Sequence, residues 1–172
     1  MYRTLALSLL LLIGCTESPD AIDVGSTSEA TLTEFTSVSR EVATEAMSGS
    51  ELKTPAAYLR EPGFAGADRA RGELLSLACQ ACHTLGEGEN VLLGPNLFGI
   101  FGRASAATES FDYSPVLSAA QIVWTPAILD VWVTDPEEFL PGNDMVFAGY
   151  SSATDRRDLI AFLLHKTSGL AD

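Results

Sequence analysis

The sequence predicts a small all-α domain preceded by an N-terminal leader and tether. Three observations predict it. The composition changes near residue 66, the segments beyond that point show helical spacing behind N-cap residues with no convincing alternating strand, and two of three cysteines fall beside one of two histidines within residues 79–83. A chain of 172 residues, 47% hydrophobic and 19% charged, has room for one globular domain and an appendage. The formal net charge of −13 argues against nucleic acid as a partner, because only ten Lys and Arg are present to meet phosphates.

Residues 1–14 read as a signal peptide: Arg3 supplies a short basic region and Leu5 to Ile13 an apolar run too short to span a bilayer. Leu12-Ile13-Gly14-Cys15 resembles a bacterial lipobox, which implies cleavage before Cys15 and lipid on that residue. Several acyl chains give durable attachment where one is reversible, so the mature chain is expected outside the cytoplasm, anchored at Cys15 to a bacterial membrane. Its domain would then lie in the periplasm or on the outer side of the cytoplasmic membrane.

Residues 15–66 read as a flexible acidic tether. From Thr16 onward they are rich in Ser, Thr, Ala and Glu, and nine acids against Arg40, Lys53 and Arg60 give a net −6. Such a stretch buries too little apolar surface to offset the entropy of ordering it. Its typical end-to-end distance is roughly 40 Å. Phe35, Val38 and Val42 have the spacing of a short amphipathic turn, and Pro62-Gly63 marks the expected end.

Residues 67–172 hold the domain. A first helix over "ADRARGELLSLA" starts at Asp68 and places Leu74, Leu75 and Ala78 on one side. Gly94 to Arg103 is a turn-rich loop. Thr125-Pro126 and Asp135-Pro136 each join an N-cap to a proline at the first helical position. The last helix carries Leu159, Ile160, Phe162 and Leu163 and ends by Gly169. Loops this long in about a hundred residues need something to fold around.

Cys79-Gln80-Ala81-Cys82-His83 is C-x-x-C-H, the attachment signal of a c-type haem. Two thiols three positions apart on a turn can each add to a vinyl group of one porphyrin, with the adjacent imidazole within reach of its iron. A thioredoxin-like pair would need a βαβ context and leaves His83 unexplained. Zinc would need a further Cys or His pair, and only Cys15 and a solitary His165 remain.

With that motif, Gly94-Pro95-Asn96-Leu97, Gly99-Ile100-Phe101-Gly102-Arg103, Phe111, Tyr113, Trp124, "PGNDMVFAG" at 141–149 and "DLIAFL" at 158–163, the region resembles the class I cytochromes c of mitochondrial type. The resemblance implies a small all-α fold wrapped around one haem c held through Cys79 and Cys82, with terminal helices that cross. It implies His83 and Met145 as axial ligands. Met145 also stands apart among the three methionines, since Met1 leaves with the signal and Met47 lies in the tether. His165, in the last turn of an amphipathic helix, is expected to face solvent.

The resemblance further places the Pro95 carbonyl against the proximal imidazole, and Arg103, Tyr113 and Trp124 near the propionates. Phe147 falls beside the exposed haem edge, and Leu97 and Leu159 fall at haem-packing positions. Four departures stand out. Trp132 replaces a tyrosine near the methionine sulfur, Leu117 an asparagine, Phe98 a histidine, and Leu75 or Ser76 an aromatic of the first helix. Where the family presents lysines, this chain has Glu87, Glu137, Glu138 and Asp144, with Ala78, Asn90 and Leu92 also lacking the charge, so a basic or largely neutral partner face is expected.

With both iron positions filled, the expected role is one-electron transfer without substrate chemistry. The tethered domain would carry electrons between respiratory or other membrane-associated redox complexes. Two rivals are a fixed haem subunit of an oxidase, dehydrogenase or reductase, and a haem enzyme or gas sensor in which Met145 dissociates.

Overall fold

The computed structural model describes residues 52–171. The signal peptide, Cys15, the turn expected at Phe35, Val38 and Val42, and Met47 lie outside the described residues. Among the described residues, six α-helices occur in chain order: α1 (Pro55–Tyr58), α2 (Arg69–Gln80), α3 (Pro115–Ala119), α4 (Pro126–Trp132), α5 (Pro136–Phe139) and α6 (Ala153–Lys166), with a 3-10 turn at Pro62–Phe64. Among the described residues, extended pairing is confined to one antiparallel bridge, Ala104 with Val123. No described helix is long and apolar enough to cross a membrane.

The short helices share one start signal. Thr54-Pro55, Ser114-Pro115, Thr125-Pro126 and Asp135-Pro136 each put a capping oxygen on a free backbone N–H, next to a proline that has none to satisfy. Such a cap contributes about 1 kcal/mol. The signal predicts α4 and α5. It also begins α1 and α3, two helices that the hydrophobic pattern did not reveal because they are only four and five residues long.

The terminal helices α2 and α6 cross tightly. A Cβ placed on Gly72 would collide with the Asp158 carbonyl and come within 2.8 Å of Phe162 Cβ, so only glycine permits this approach. Ser76, fully buried one turn later, donates to the Glu73 carbonyl (2.7 Å) and accepts from Gln80 (2.8 Å). The face of α2 turned inward is therefore Gly72, Leu75, Ser76 and Cys79, while Leu74, Leu77 and Ala78 face solvent. This corrects the expectation that Leu74 and Ala78 share the packed side: a close crossing selects small residues, not the most hydrophobic ones. Around it, buried Asp158 accepts from Asp68 N–H and Arg157, and Arg71 pairs with Asp155 at 2.6 Å.

The domain starts earlier than residue 67. Residues 53–64, expected within the tether, form a strap. Tyr58 is buried in the core, Leu59 and Phe64 pack against it, and Lys53 pairs with Glu61 at 2.6 Å. One tyrosine and two apolar neighbours suffice to dock a short segment that average composition marks as unfolded. The strap faces α4 and α6 across an open groove lined by Tyr58, Phe64, Ala127, Asp130, Val131 and Arg157. The other side of α4, with Ile128, Leu129 and Trp132, is buried.

Candidate haem site

The helical winding of α2 continues through the cysteine motif. Ala81 N–H donates to the Leu77 carbonyl, and both Cys82 and His83 N–H donate to that of Cys79 at 3.0 and 2.9 Å. Cys79, Cys82 and His83 are thereby gathered on one turn, with both thiols unpaired and half-buried. Burial pushes the Cys79 thiol up to about 11. The thioredoxin-like reading lacks its βαβ context, since the described residues form helices with a single isolated bridge. Among the described residues, no three His, Cys, Asp or Glu side chains are grouped to hold a metal ion.

The His83 ring is fixed through one nitrogen. Nδ1 lies 2.7 Å from the Pro95 carbonyl, which can only accept, so Nδ1 carries the proton and Nε2 keeps its lone pair. Burial lowers the imidazole's affinity for a second proton, and the Pro95 contact partly opposes it. Gly94 donates to the Cys82 carbonyl at 2.8 Å, and its missing Cβ makes room for the imidazole: one placed there would lie within 2.7 Å of Nδ1.

Asn96 ties this loop together. Its amide donates to Thr84 Oγ1 (2.8 Å) and the Gly86 carbonyl (2.9 Å), its side-chain oxygen accepts from Phe98 N–H, and its own carbonyl accepts from Arg103 (2.9 Å). Arg103 also donates to the Phe98 carbonyl at 3.1 Å. No ion pair is formed by this half-buried guanidinium among the described residues, and desolvation lowers its pKa while Tyr113 opposes the shift. A desolvated cation held only by carbonyls retains capacity for a carboxylate such as a propionate. Gly102 and Arg103 exchange backbone bonds with Trp124, which brings Arg103 beside that buried indole. Tyr113 packs edge-on against Phe111 at 4.8 Å.

Farther along the chain, Met145 receives a hydrogen bond from the Trp132 indole N–H, 3.1 Å from Sδ. Trp132 is itself wedged edge-on between Trp124 (5.3 Å) and Phe139 (5.7 Å). Asn143 folds the methionine loop: its amide donates to the Pro136 and Leu140 carbonyls, and its oxygen accepts Met145 N–H at 2.8 Å. Glu137 accepts from Gly142 N–H, whose φ of +83° makes the preceding turn. Phe147 is half-buried and meets Tyr150 edge-on at 5.2 Å. Tyr150 then donates to the Leu75 carbonyl at 2.8 Å, joining the end of this loop to α2.

Leu97 is half-buried against the core, whereas Leu159 is completely enclosed by it. Leu117 is half-buried, and Phe98 packs beside Gly169 at the end of the chain. His165, half-buried instead of fully solvent-facing, has Nε2 3.2 Å from the Ala171 carbonyl, away from the cysteine turn. Asn96 and Asn143 enter the sequence reading only as members of longer motifs, without a role of their own. The local signal for both was available: an Asn next to a Pro or Gly often closes a turn through its side chain.

The residues present fit a covalent haem: two thiols on one turn, an imidazole with a free nitrogen, a thioether on a second loop, a cation for carboxylates and buried aromatics. Comparison with known proteins agrees. No protein-family model matches the chain. Cytochrome c of Stellaria longipes is 41% identical over 106 residues, covering 61% of this chain and 98% of that protein. Cytochrome c2 of Agrobacterium tumefaciens is 38% identical over 104 residues, covering 59% and 94%. Cytochrome c2 of Blastochloris viridis is 37% identical over 99 residues, covering 58% and 78%. The chain belongs to the class I monohaem cytochromes c, electron-transfer proteins of all-α fold, and binds one haem c covalently through Cys79 and Cys82.

Proposed function

We propose that this cytochrome is a membrane-anchored carrier moving single electrons between membrane-associated redox complexes, with His83 and Met145 as the axial ligands. Haem c, when bound, supplies the one-electron couple. The chain's part is to hold two neutral ligands in place and keep water away. Pro95 fixes the His83 tautomer, while Trp132 and Asn143 hold the sulfur and backbone of Met145. His/Met ligation raises the reduction potential, and a wall of buried aromatics adds to it by disfavouring the more highly charged iron.

The observation that carries the reading is the restraint of Met145 at both sulfur and backbone, which favours a filled coordination site over an open one. A redox titration of the full-length holoprotein, with carbon monoxide added to the ferrous form, tests it. A low-spin spectrum indifferent to carbon monoxide and a positive midpoint potential, both lost in Met145→Ala, are expected. Ready binding of carbon monoxide by the unaltered protein would turn the reading toward an enzyme or gas sensor.

The anchor rests on the lipobox-like Leu12-Ile13-Gly14-Cys15 and the apolar run before it. On this reading the haem domain works outside the cytoplasm, at high local concentration near its partners. Cys15→Ser should move the haem protein from the membrane to the soluble fraction. Retention of that variant on salt-washed membranes would point to a fixed subunit held by a partner.

A further inference from the structure

The charges of the described residues are sorted by region. Between residues 72 and 155, Arg103 is the only Lys or Arg, and its guanidinium is held by the Asn96 and Phe98 carbonyls. The remaining cations belong to the strap, the start of α2 and α6. There Lys53, Arg71, Arg156 and Arg157 each lie within 2.9 Å of a carboxylate.

The loop after His83 and the loop that carries Met145 have the opposite make-up. After His83, Glu87 and Glu89 are exposed, and Leu92 and Leu93 stand 52% and 82% exposed. Leu92 N–H donates to the Gly94 carbonyl, which keeps these leucines next to the backbone that packs on His83. Around Met145, Glu137, Glu138 and Asp144 are exposed, and Val146 has no cover at all. Two separate loops, one after His83 and one carrying Met145, thus present bare aliphatics bordered by unneutralised carboxylates. Bare aliphatic side chains gain by burial, and carboxylates around them select the sign of what buries them.

Building on the electron-carrier reading, we propose that this face docks a redox protein whose contact surface has an apolar centre rimmed by Lys and Arg. Charge complementarity selects that occupant. A second copy of the chain would bring carboxylate to carboxylate, and an anionic lipid surface or an acidic protein would be repelled. Each encounter passes one electron and no proton or group: as the ferrous iron is oxidised to ferric, the partner's centre is reduced by one electron, and the reverse holds for a donor.

The test uses reduced, full-length holoprotein and two oxidants of opposite charge. Tris(1,10-phenanthroline)cobalt(III) is a trivalent cation with an aromatic surface, and hexacyanoferrate(III) is a trivalent anion. Stopped-flow absorbance gives each second-order rate from about 0.01 to 1 M ionic strength. Glu137→Gln with Glu138→Gln should slow the cobalt oxidant roughly five-fold at low salt and speed the anion. An equal charge change at exposed Glu109→Gln with Asp112→Asn should alter either rate less than about two-fold. Val146→Ser should slow the cobalt reaction at every salt concentration and leave the anion unaffected.

Equal effects of the two charge pairs, or an unaltered cobalt rate in Val146→Ser, would overturn the docking face. The carrier reading would survive that result so long as the haem stays low-spin and indifferent to carbon monoxide, and it would fall separately if carbon monoxide binds.

Discussion

The loop that follows His83 and the loop that carries Met145 hold the two proposed iron ligands by different means. Between residues 83 and 103 the chain is cross-linked by side chains and backbone together. Pro95 meets His83, Gly94 meets Cys82, Asn96 meets Thr84 and Gly86, and Arg103 closes the far end. Between 136 and 149 the connections are fewer and converge on two side chains, Asn143 and Trp132. One ligand is part of a woven segment next to two covalent attachment points, and the other is suspended from two residues. The difference teaches which of them can be loosened without unmaking the protein.

The largest contrast should come from the ligands themselves. His83→Ala is expected to reduce recovered holoprotein to background, read as covalent haem per chain. Met145→Ala should still yield a folded haem protein, with a lower potential and an opened sixth position. Comparable holoprotein yields for the two variants would remove the asymmetry.

Next in size are two glycines. Gly149 has a φ of +82°, and a Cβ there would collide with the Thr134 carbonyl, while one on Gly94 would meet the His83 ring. Gly149→Ala should cost about 2–4 kcal/mol through strain and overpacking together. Gly94→Ala should cost about 1–3 kcal/mol and also perturb the proximal ligand's spectrum. Denaturant unfolding of the holoproteins measures the first effect and visible absorption the second.

The two asparagines sharpen the comparison further. Asn143→Ala removes the acceptor for Met145 N–H and two bonds to carbonyls, costing about 1–3 kcal/mol, and should let carbon monoxide bind the ferrous protein. Asn96→Ala should cost a similar amount of stability yet leave carbon monoxide excluded. If both variants bind carbon monoxide equally, the loops are not independent.

The smallest expected effect belongs to Trp132→Phe. A donor on the thioether draws electron density from the ligand and disfavours ferric iron, so its loss should lower the midpoint potential. At about 1 kcal/mol for the bond, the one-electron shift is roughly 40 mV. An upward shift, or none, would deny the indole N–H a part in tuning.

The chemistry was legible in the sequence where it depended on rare residue types at fixed spacing. Cys79, Cys82 and His83 adjoin in the chain, and Met145 stands out in a Pro/Gly-bounded loop. Helix starts at Thr125 and Asp135 were legible because a cap and its proline act within one turn. What escaped depends on partners far along the chain. The buried face of α2 is set by the approach of α6, which rewards Gly72 and Ser76 over Leu74 and Leu77. Asn96 and Asn143 act on carbonyls whose positions exist only once the loops have folded. The strap escaped because Tyr58 finds its socket on helices about seventy to one hundred residues away.

That strap also decides how the domain meets a mechanical load. A pull arriving from residues before 52 would meet the strap, with its Lys53–Glu61 pair and the buried Tyr58, before it met Asp68 and the helix bearing Cys79 and Cys82.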